Sequence, residues 1–341
     1  MAPPQASEPI HEFGLIRALR RQFSHRDAEV IRGIGDDAAV ISASPKQWWH
    51  VTTDLLVEGV HFNLGTASPE AVGYRAAMAN LSDLAAMGAT PRYLLTSIAI
   101  PRRCSAAHVD QLYGGLMKAC RPHRVSLIGG DTSASRGGLF LSLTLIGTTR
   151  RRQALLRSGA RIGDALYVTG TLGDSLAGLQ ILTRQSSTRV AKPHQRFLIH
   201  RHLRPTARVS EGQWLNRARR ASAAIDLSDG LSGDVRHLCE ESRVGADIEL
   251  DAIPISPSCR AYAKSSRQDP TQLALSGGED YELLFTVSAQ HQPAVEHQAK
   301  KAGYRITRIG VIRPRRSGLR IQSQAGEWRP LPLTSYEHFC S

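Results

Sequence analysis

Six short strings set carboxylates beside small residues in this chain of 341: GIGDD (Gly33 to Asp37), TTD (Thr52 to Asp54), NLSD (Asn80 to Asp83), GGD (Gly129 to Asp131), IDLSDG (Ile225 to Gly230) and SGGED (Ser276 to Asp280). Acidic residues are the minority charge, 30 against 43 Lys and Arg, so their gathering next to Gly, Ser and Thr is informative. Small neighbours let a ligand come close to the backbone. Hard carboxylate oxygens suit Mg²⁺, which is usually bound together with substrate phosphates. The chemistry implied is metal-assisted handling of phosphates.

The strings differ in weight. GIGDD alone also reads as a turn with two solvated acids. TTD closes an apolar strand and offers two hydroxyls and a carboxylate, three oxygens for one cation, or else a strand end capped by Asp. Asp83 says more. It sits in the nearly uncharged helix segment NLSDLAAMGA, where a carboxylate is expensive unless a metal, a cap or a salt bridge satisfies it. GGD places Asp131 behind two glycines in a nest-like turn, which is common on its own. Asp226, Ser228 and Asp229 line a strand-to-helix turn where backbone N–H groups face outward. SGGEDYELLF sets Glu279 and Asp280 between a flexible turn and an apolar strand. His61 in EGVHF, taken alone, reads as a core residue rather than a ligand.

The elements that must position these residues alternate between strand and helix. Trp48 to Thr53 reads as a strand running into Asp54. Ser68-Pro69-Glu70 supplies a cap, a first-turn proline and an early acid, predicting a helix to about Met87 that stops at Gly88. Asn80, Asp83 and Met87 then share one face. Tyr93 to Ile100 is a strand, Ser105 to about Arg121 a helix weakened by Gly114-Gly115, Val125 to Ile128 a strand ending at GGD, and Leu139 to Thr149 an alternating strand. Arg150 to Arg152 and RSGARIGD (Arg157 to Asp164) read as a linker and a turn. The second half restarts with a strand at Ala165 to Thr169 and helices from about Gly173 and from Thr206 to Arg219. A helix at Ser232 to Ser242 follows IDLSDG, then a strand at Tyr281 to Val287, a helix from Ala289 to Lys301 and a strand at Arg305 to Ile312. No exact repeat is present, but both halves put Asp at a strand–helix junction, so two related α/β units are expected: a leader over 1–10, an N-terminal domain over 11–150 and a C-terminal domain over 151–341.

Composition removes other classes. No apolar run approaches the roughly 20 residues of a membrane helix, and the N-terminus lacks the features of a secretory signal. The five cysteines are far apart and form no CxxC, which favours reduced cytoplasmic thiols over disulfides or zinc. The net charge of +13 suits either a nucleic-acid binder or a surface that attracts anionic small molecules. The arginines are dispersed and no nucleic-acid-binding motif is present, so no nucleic-acid partner is expected. There is no P-loop, because no Gly-Lys pair occurs. His25-Arg26-Asp27 lacks the companions of a kinase catalytic loop, and GDSLAG lacks the last glycine of a nucleophile elbow.

TTDLLVEGVHF, NLSDLAAMGA, LIGGDT, RSGARIGD, YVTGTLGDS, IDLSDGL and SGGEDYELLF together resemble the thiamine-monophosphate kinase family of the aminoimidazole-ribonucleotide-synthetase-like superfamily. The resemblance runs in order from about Glu12 to Phe339. It implies an α+β/α/β fold of two domains, a homodimer paired through its N-terminal domains, and transfer of a phosphoryl group from ATP to thiamine monophosphate with several Mg²⁺ ions. Carried over residue by residue, it implies Asp37, Thr52, Thr53, Asp54, Asp83, Asp131, Asp226 and Asp229 as magnesium ligands. It implies Gly130, Asp131, Arg157 and Ser228 at ATP, and His61, Glu279 and Tyr336 at the acceptor, Glu279 opposing the thiazolium. The acceptor phosphate, with a second pKa near 6, needs no general base, and Arg157 adds a fixed charge stabiliser. Nearby alternatives are an aminoimidazole ribonucleotide synthetase or a selenophosphate synthetase, although the reactive N-terminal Cys of the latter has no counterpart before Cys104. A basic RNA-binding protein is the alternative from another class. The Arg313 to Arg316 cluster has no counterpart.

Overall fold

A computed structural model describes residues 12–23, 27–183, 190–217, 220–323, 326–332 and 334–338. The leader over 1–10, Arg219 at the end of one expected helix, and Phe339 lie outside them. The first half contains α1 (Glu12–Phe23), β1 (Val30–Arg32), β2 (Ala39–Ser44), β3 (Gln47–Val57), α2 (Pro69–Ala86), β4 (Thr90–Pro101), α3 (Ala106–Cys120), β5 (Ser126–Ser135) and β6 (Phe140–Arg150). Its six strands form one sheet in the order β1-β2-β3-β6-β4-β5, antiparallel except for the parallel β4–β5 pair at the edge.

The second half contains β7 (Ala165–Thr169), α4 (Asp174–Leu182), α5 (Lys192–Leu203), α6 (Val209–Arg217), β8 (Ala223–Leu227), α7 (Leu231–Ser242), β9 (Val244–Glu249), α8 (Pro257–Ser266), α9 (Pro270–Ser276), β10 (Glu282–Val287), α10 (Gln292–Ala302), β11 (Ile306–Pro314), β12 (Leu319–Gln322) and β13 (Trp328–Pro330). Its sheet runs β13-β12-β9-β11-β7-β10-β8. Alternate residues serve two cores, as the two-residue period of a strand requires. Tyr167, Ala224, Leu283 and Phe285 face the core shared with the first half. Leu166, Val168, Ile225 and Leu284 face the core under α7 and α9.

Helix α2 is the central element. The Ser68 hydroxyl accepts from Ala71 N at 3.2 Å, Pro69 opens the first turn, and Gly88 ends the helix at φ +63°, as the sequence predicts. Its sequence is apolar on nearly every side, and it is buried on nearly every side. It packs on β3 and β6 of the first sheet, on β8 of the second, and on α6. The glycine pair in α3 has a packing role: a Cβ at Gly115 would collide with the Glu70 carbonyl of α2, whereas Gly114 faces open space.

Two expectations about strand ends are corrected. Strand β3 runs on through Thr52-Thr53-Asp54 to Val57, and β5 runs on through Gly129-Gly130-Asp131 to Ser135. Both motifs are therefore mid-strand, and GGD makes no nest. One neighbouring strand pairs along each motif, β6 beside Thr52 to Asp54 and β4 beside Gly129 to Asp131, so Thr, Asp and Gly do not break the ladder. Every residue from Ser126 to Ala134 is exposed, so β5 is an open edge.

Candidate active site

Three elements from both halves bring carboxylates together. Asp37 stands in the turn before β2, Asp83 on α2, and Asp226 on β8, with one oxygen of each within 4.8 Å of the others. Around them, the Thr52 hydroxyl donates to Asp83 Oδ2 at 2.5 Å and the Ser82 hydroxyl to Asp226 Oδ2 at 2.7 Å. Arg157, in the loop after β6, donates to Asp37 Oδ1 from Nη2 at 2.6 Å and Nε at 3.2 Å, and its backbone N–H donates to Asp36 at 3.1 Å. Asp37 Oδ2 is buried without a hydrogen-bond partner.

One cation beside several carboxylates leaves a surplus of negative charge. Burial, then the Asp37 charge, pushes Asp226 up to about 8. Burial pushes Asp54 and Asp229 up to about 6, and raises Asp36 to about 7 with Asp37 adding to the effect. Asp83 is raised by burial and then by the charges of Asp54, Asp226 and Asp37. Close carboxylates with an orphaned oxygen fit a hard divalent cation, and the donor set of carboxylates and a hydroxyl is that preferred by Mg²⁺.

Carboxyls whose folded pKa is raised add stability that is complete below about pH 4, their unfolded value. That stability is lost as the pH rises through the folded values of about 6 for Asp54 and Asp229 and about 8 for Asp226. The metal-free chain should therefore weaken from pH 5 to pH 8.5, and Mg²⁺ should restore what is lost. The rise in Tm on adding Mg²⁺, measured by differential scanning fluorimetry, is expected to be several degrees larger at pH 8.5 than at pH 5.5. An equal rise at both pH values would contradict it.

A second cluster adjoins the first. Glu279, in the loop before β10, takes Arg75 of α2 against both carboxylate oxygens at 2.5 and 2.6 Å, with His202 of α5 at 3.6 Å. Arg75 also donates to the His61 carbonyl at 3.3 Å, and His61 Nε2 lies 3.4 Å from His338 Nε2. The C-terminal segment reaches this place through Tyr336, whose N–H donates to the Asp229 carbonyl at 3.1 Å and whose hydroxyl lies 3.2 Å from His338 Nδ1. Glu279 and Tyr281 hold φ of +62° and +51°, strain of about 1–3 kcal/mol each that the surroundings must sustain. Asp280 between them accepts from Gly173 N at 2.6 Å and Ser175 N at 3.1 Å, so it ties the loop to the start of α4.

The expected residues thus fall into groups. Asp37, Thr52, Asp54, Asp83, Asp226, Asp229 and Arg157 gather at one centre, with Ser228 in the turn beside Asp229. His61, Glu279 and Tyr336 gather at the second cluster. Thr53 departs from the three-oxygen reading of TTD. Successive strand side chains point to opposite faces, and its hydroxyl donates to Leu143 O at 3.0 Å on the exposed side. Gly130 and Asp131 stand on the open edge β5, and Asp131 is not one of the three carboxylates that converge. A Cβ at Gly130 would collide with the Thr96 carbonyl, so strand packing alone requires glycine there. Glu279 meets Arg75. Sequence reasoning missed Arg75 and His202. Arg75 carried a signal: an arginine inside a helix as apolar as α2 is as anomalous as Asp83.

A mixed sheet with flanking helices in each half, joined across converging carboxylates, defines an AIR synthase related protein. The family models for the N-terminal and C-terminal domains of AIR synthase related protein match residues 35–149 and 161–322. Within that class the chain belongs to the thiamine-monophosphate kinase family. It is 41% identical to the thiamine-monophosphate kinase of Buchnera aphidicola subsp. Acyrthosiphon pisum (strain APS) over 91% of this chain and 93% of the relative. It is 39% identical to that of Escherichia coli (strain K12) over 97% and 98%. The solved structure of AaThiL complexed with AMPPCP and TMP superimposes with a TM-score of 0.85 at 33% identity, over 99% of this chain and all of that one. Among the described residues, no helix is long and apolar enough to cross a membrane.

Proposed function

We propose that this chain transfers the γ-phosphoryl group of ATP to the phosphate of thiamine monophosphate, giving ADP and thiamine diphosphate. The observation that carries this reading is the convergence of Asp37, Asp83 and Asp226, from both halves, on one point beside Arg157. The family supports it, and so does the AaThiL structure, which holds an ATP analogue and TMP together. Asp37, Asp54, Asp83, Asp226 and Asp229, with Thr52, would hold Mg²⁺. When bound, the metal supplies charge neutralisation between carboxylates and phosphates. Arg157 is held in place by Asp36 and Asp37 and presents a fixed positive charge to the transferring group.

The acceptor side is the second cluster. Arg75 neutralises Glu279, and Glu279 in turn orients Arg75, so the pair sets the wall against which His61 and Tyr336 stand. The acceptor phosphate is mostly dianionic at neutral pH, so its oxygen attacks without loss of a proton and needs no general base. The nucleotide is assigned to Gly130, Asp131, Arg157 and Ser228 by family resemblance. The exposed Leu127 and Ile128 on the open edge β5, and Tyr93 on β4 beside it, support a homodimer paired there. The reaction belongs in the cytoplasm, where ATP is available.

The test is an assay with purified protein, ATP, Mg²⁺ and thiamine monophosphate, scored for thiamine diphosphate. The rate is expected to rise with the acceptor's second ionisation near pH 6 and then level off. Free thiamine, with a neutral hydroxyl, should react at under about a hundredth of that rate. Comparable rates with thiamine would sink the no-base mechanism. Absence of thiamine diphosphate would sink the function.

A further inference from the structure

A cavity of about 630 Å³ opens where the two halves meet at the far end of α2. Four cations stand around it: Lys46 in the β2–β3 hairpin, Arg92 on β4, Arg150 at the end of β6 and Arg217 on α6. No carboxylate lines it, and none of the four makes a salt bridge among the described residues. This contrasts with the rest of the molecule, where Arg75, Arg157, Arg201, Arg208, Arg313 and Arg320 each meet an acid. The back wall is polar and fixed. Thr149 is buried, with its hydroxyl 2.8 Å from Nε2 of the fully buried His50, and the equally buried Thr148 faces Arg92 at 3.4 Å.

Like charges gathered around a concave surface repel one another and draw in a counter-ion. Arginine forks favour the tetrahedral oxygens of phosphate. The lining holds no aromatic or aliphatic residue, so no apolar wall is offered to a hydrocarbon chain. The four charges exceed what one phosphate balances. We infer that this cavity is a second anion site, separate from the carboxylate centre, and that it takes a compact diphosphate group, free or at the end of an ester. Carbonyls at the α2 terminus are already engaged, Asp83 O by Met87 N, Leu84 O by Ala89 N and Ala85 O by Gly88 N, and just beyond it Met87 O accepts from Leu155 N at 3.1 Å and Gly88 O from Asn216 of α6 at 3.0 Å. An anion bridging Arg217 to Lys46, Arg92 and Arg150 joins the second half to the first beside that contact. The inference concerns binding alone and does not depend on the proposed reaction.

The experiment is isothermal titration of the full chain with sodium pyrophosphate in EDTA and low salt, with an alkyl diphosphate ester as a parallel arm. One-to-one binding is expected. It should weaken at least about tenfold in the Arg92→Gln/Arg217→Gln double variant, since two charge-assisted contacts are then lost. Lys46→Gln, at an exposed position in the β2–β3 hairpin, should weaken it about threefold or more. Equal affinity for free pyrophosphate and the ester would identify an ester terminus as an acceptable ligand. Loss of the ester alone would restrict the site to the free anion. Unchanged affinity in both variants would overturn the inference. So would loss of binding in Arg157→Gln instead, reproduction of the heat by sodium chloride at matched ionic strength, or displacement of pyrophosphate by a short RNA duplex at lower concentration.

Discussion

Turnover should fall at least about a hundredfold when Asp83 becomes Asn, a loss of roughly 2.7 kcal/mol of transition-state stabilisation, while the metal-free fold becomes no less stable. Asp83 is one of the triad and is raised by burial and by the charges of Asp54, Asp226 and Asp37. An amide keeps the shape, can still meet the Thr52 hydroxyl, and removes one of the mutually repelling charges. The combination of outcomes is diagnostic. A carboxylate that only stabilises the fold would lower Tm when neutralised, whereas a ligand-holding carboxylate should leave the metal-free Tm equal or higher and reduce the Tm rise given by Mg²⁺. Steady-state formation of thiamine diphosphate, with melting curves in EDTA and in Mg²⁺, checks both parts. Near-parental activity at saturating Mg²⁺ would remove Asp83 from the metal centre.

The second large effect is expected at Arg75. Arg75→Met fills similar space but leaves Glu279 without its guanidinium. Stranding one member of a buried ion pair typically costs 3–5 kcal/mol. Because the Glu279 side chain keeps 30% of its exposure, about 3 kcal/mol is the appropriate figure, or a fall in Tm of roughly 6 °C. Adding Glu279→Gln to Arg75→Met should recover much of the stability, since the stranded charge is then gone. Activity separates the roles further. Both the single and the double variant should raise KM for thiamine monophosphate by about tenfold and leave KM for ATP nearly unchanged. A shift confined to ATP would place the Arg75–Glu279 pair in the nucleotide half.

Much of the site could be read from the sequence because it violates local expectation. Asp83 in an uncharged helix, and Asp226 and Asp229 at the end of an apolar strand, are costly placements that declare a purpose. Both ends of α2 were legible because Ser68 and Pro69 at its start and Gly88 at its end act locally. The pairings were not legible. Arg157 meets Asp37 across 120 positions and Arg75 meets Glu279 across 204, and no local signal ties such residues together. Strand ends at TTD and GGD were misread because turn-forming residues sit comfortably in a strand whose neighbours satisfy its backbone. Helix α5 escaped notice because KPHQRFLIHRHL is too polar to show an apolar face, although Leu198 and His202 within it are buried.

Helix α2 has a consequence for how the chain is made. It lies between the two sheets and is apolar all round, so the first half cannot cover it alone: Ser82 needs Asp226, Arg75 needs Glu279, and Gly88 needs Asn216. Synthesis proceeds from the N-terminus, and domains usually fold as they emerge. Here nearly 200 residues lie between α2 and the last of these partners. For that interval the helix carries an uncovered hydrophobic side with an arginine and an aspartate in it, the kind of surface that chaperones recognise and that aggregates at high expression. The two halves are thus two units in architecture but one in folding, and neither is a module that can be moved to another protein by itself.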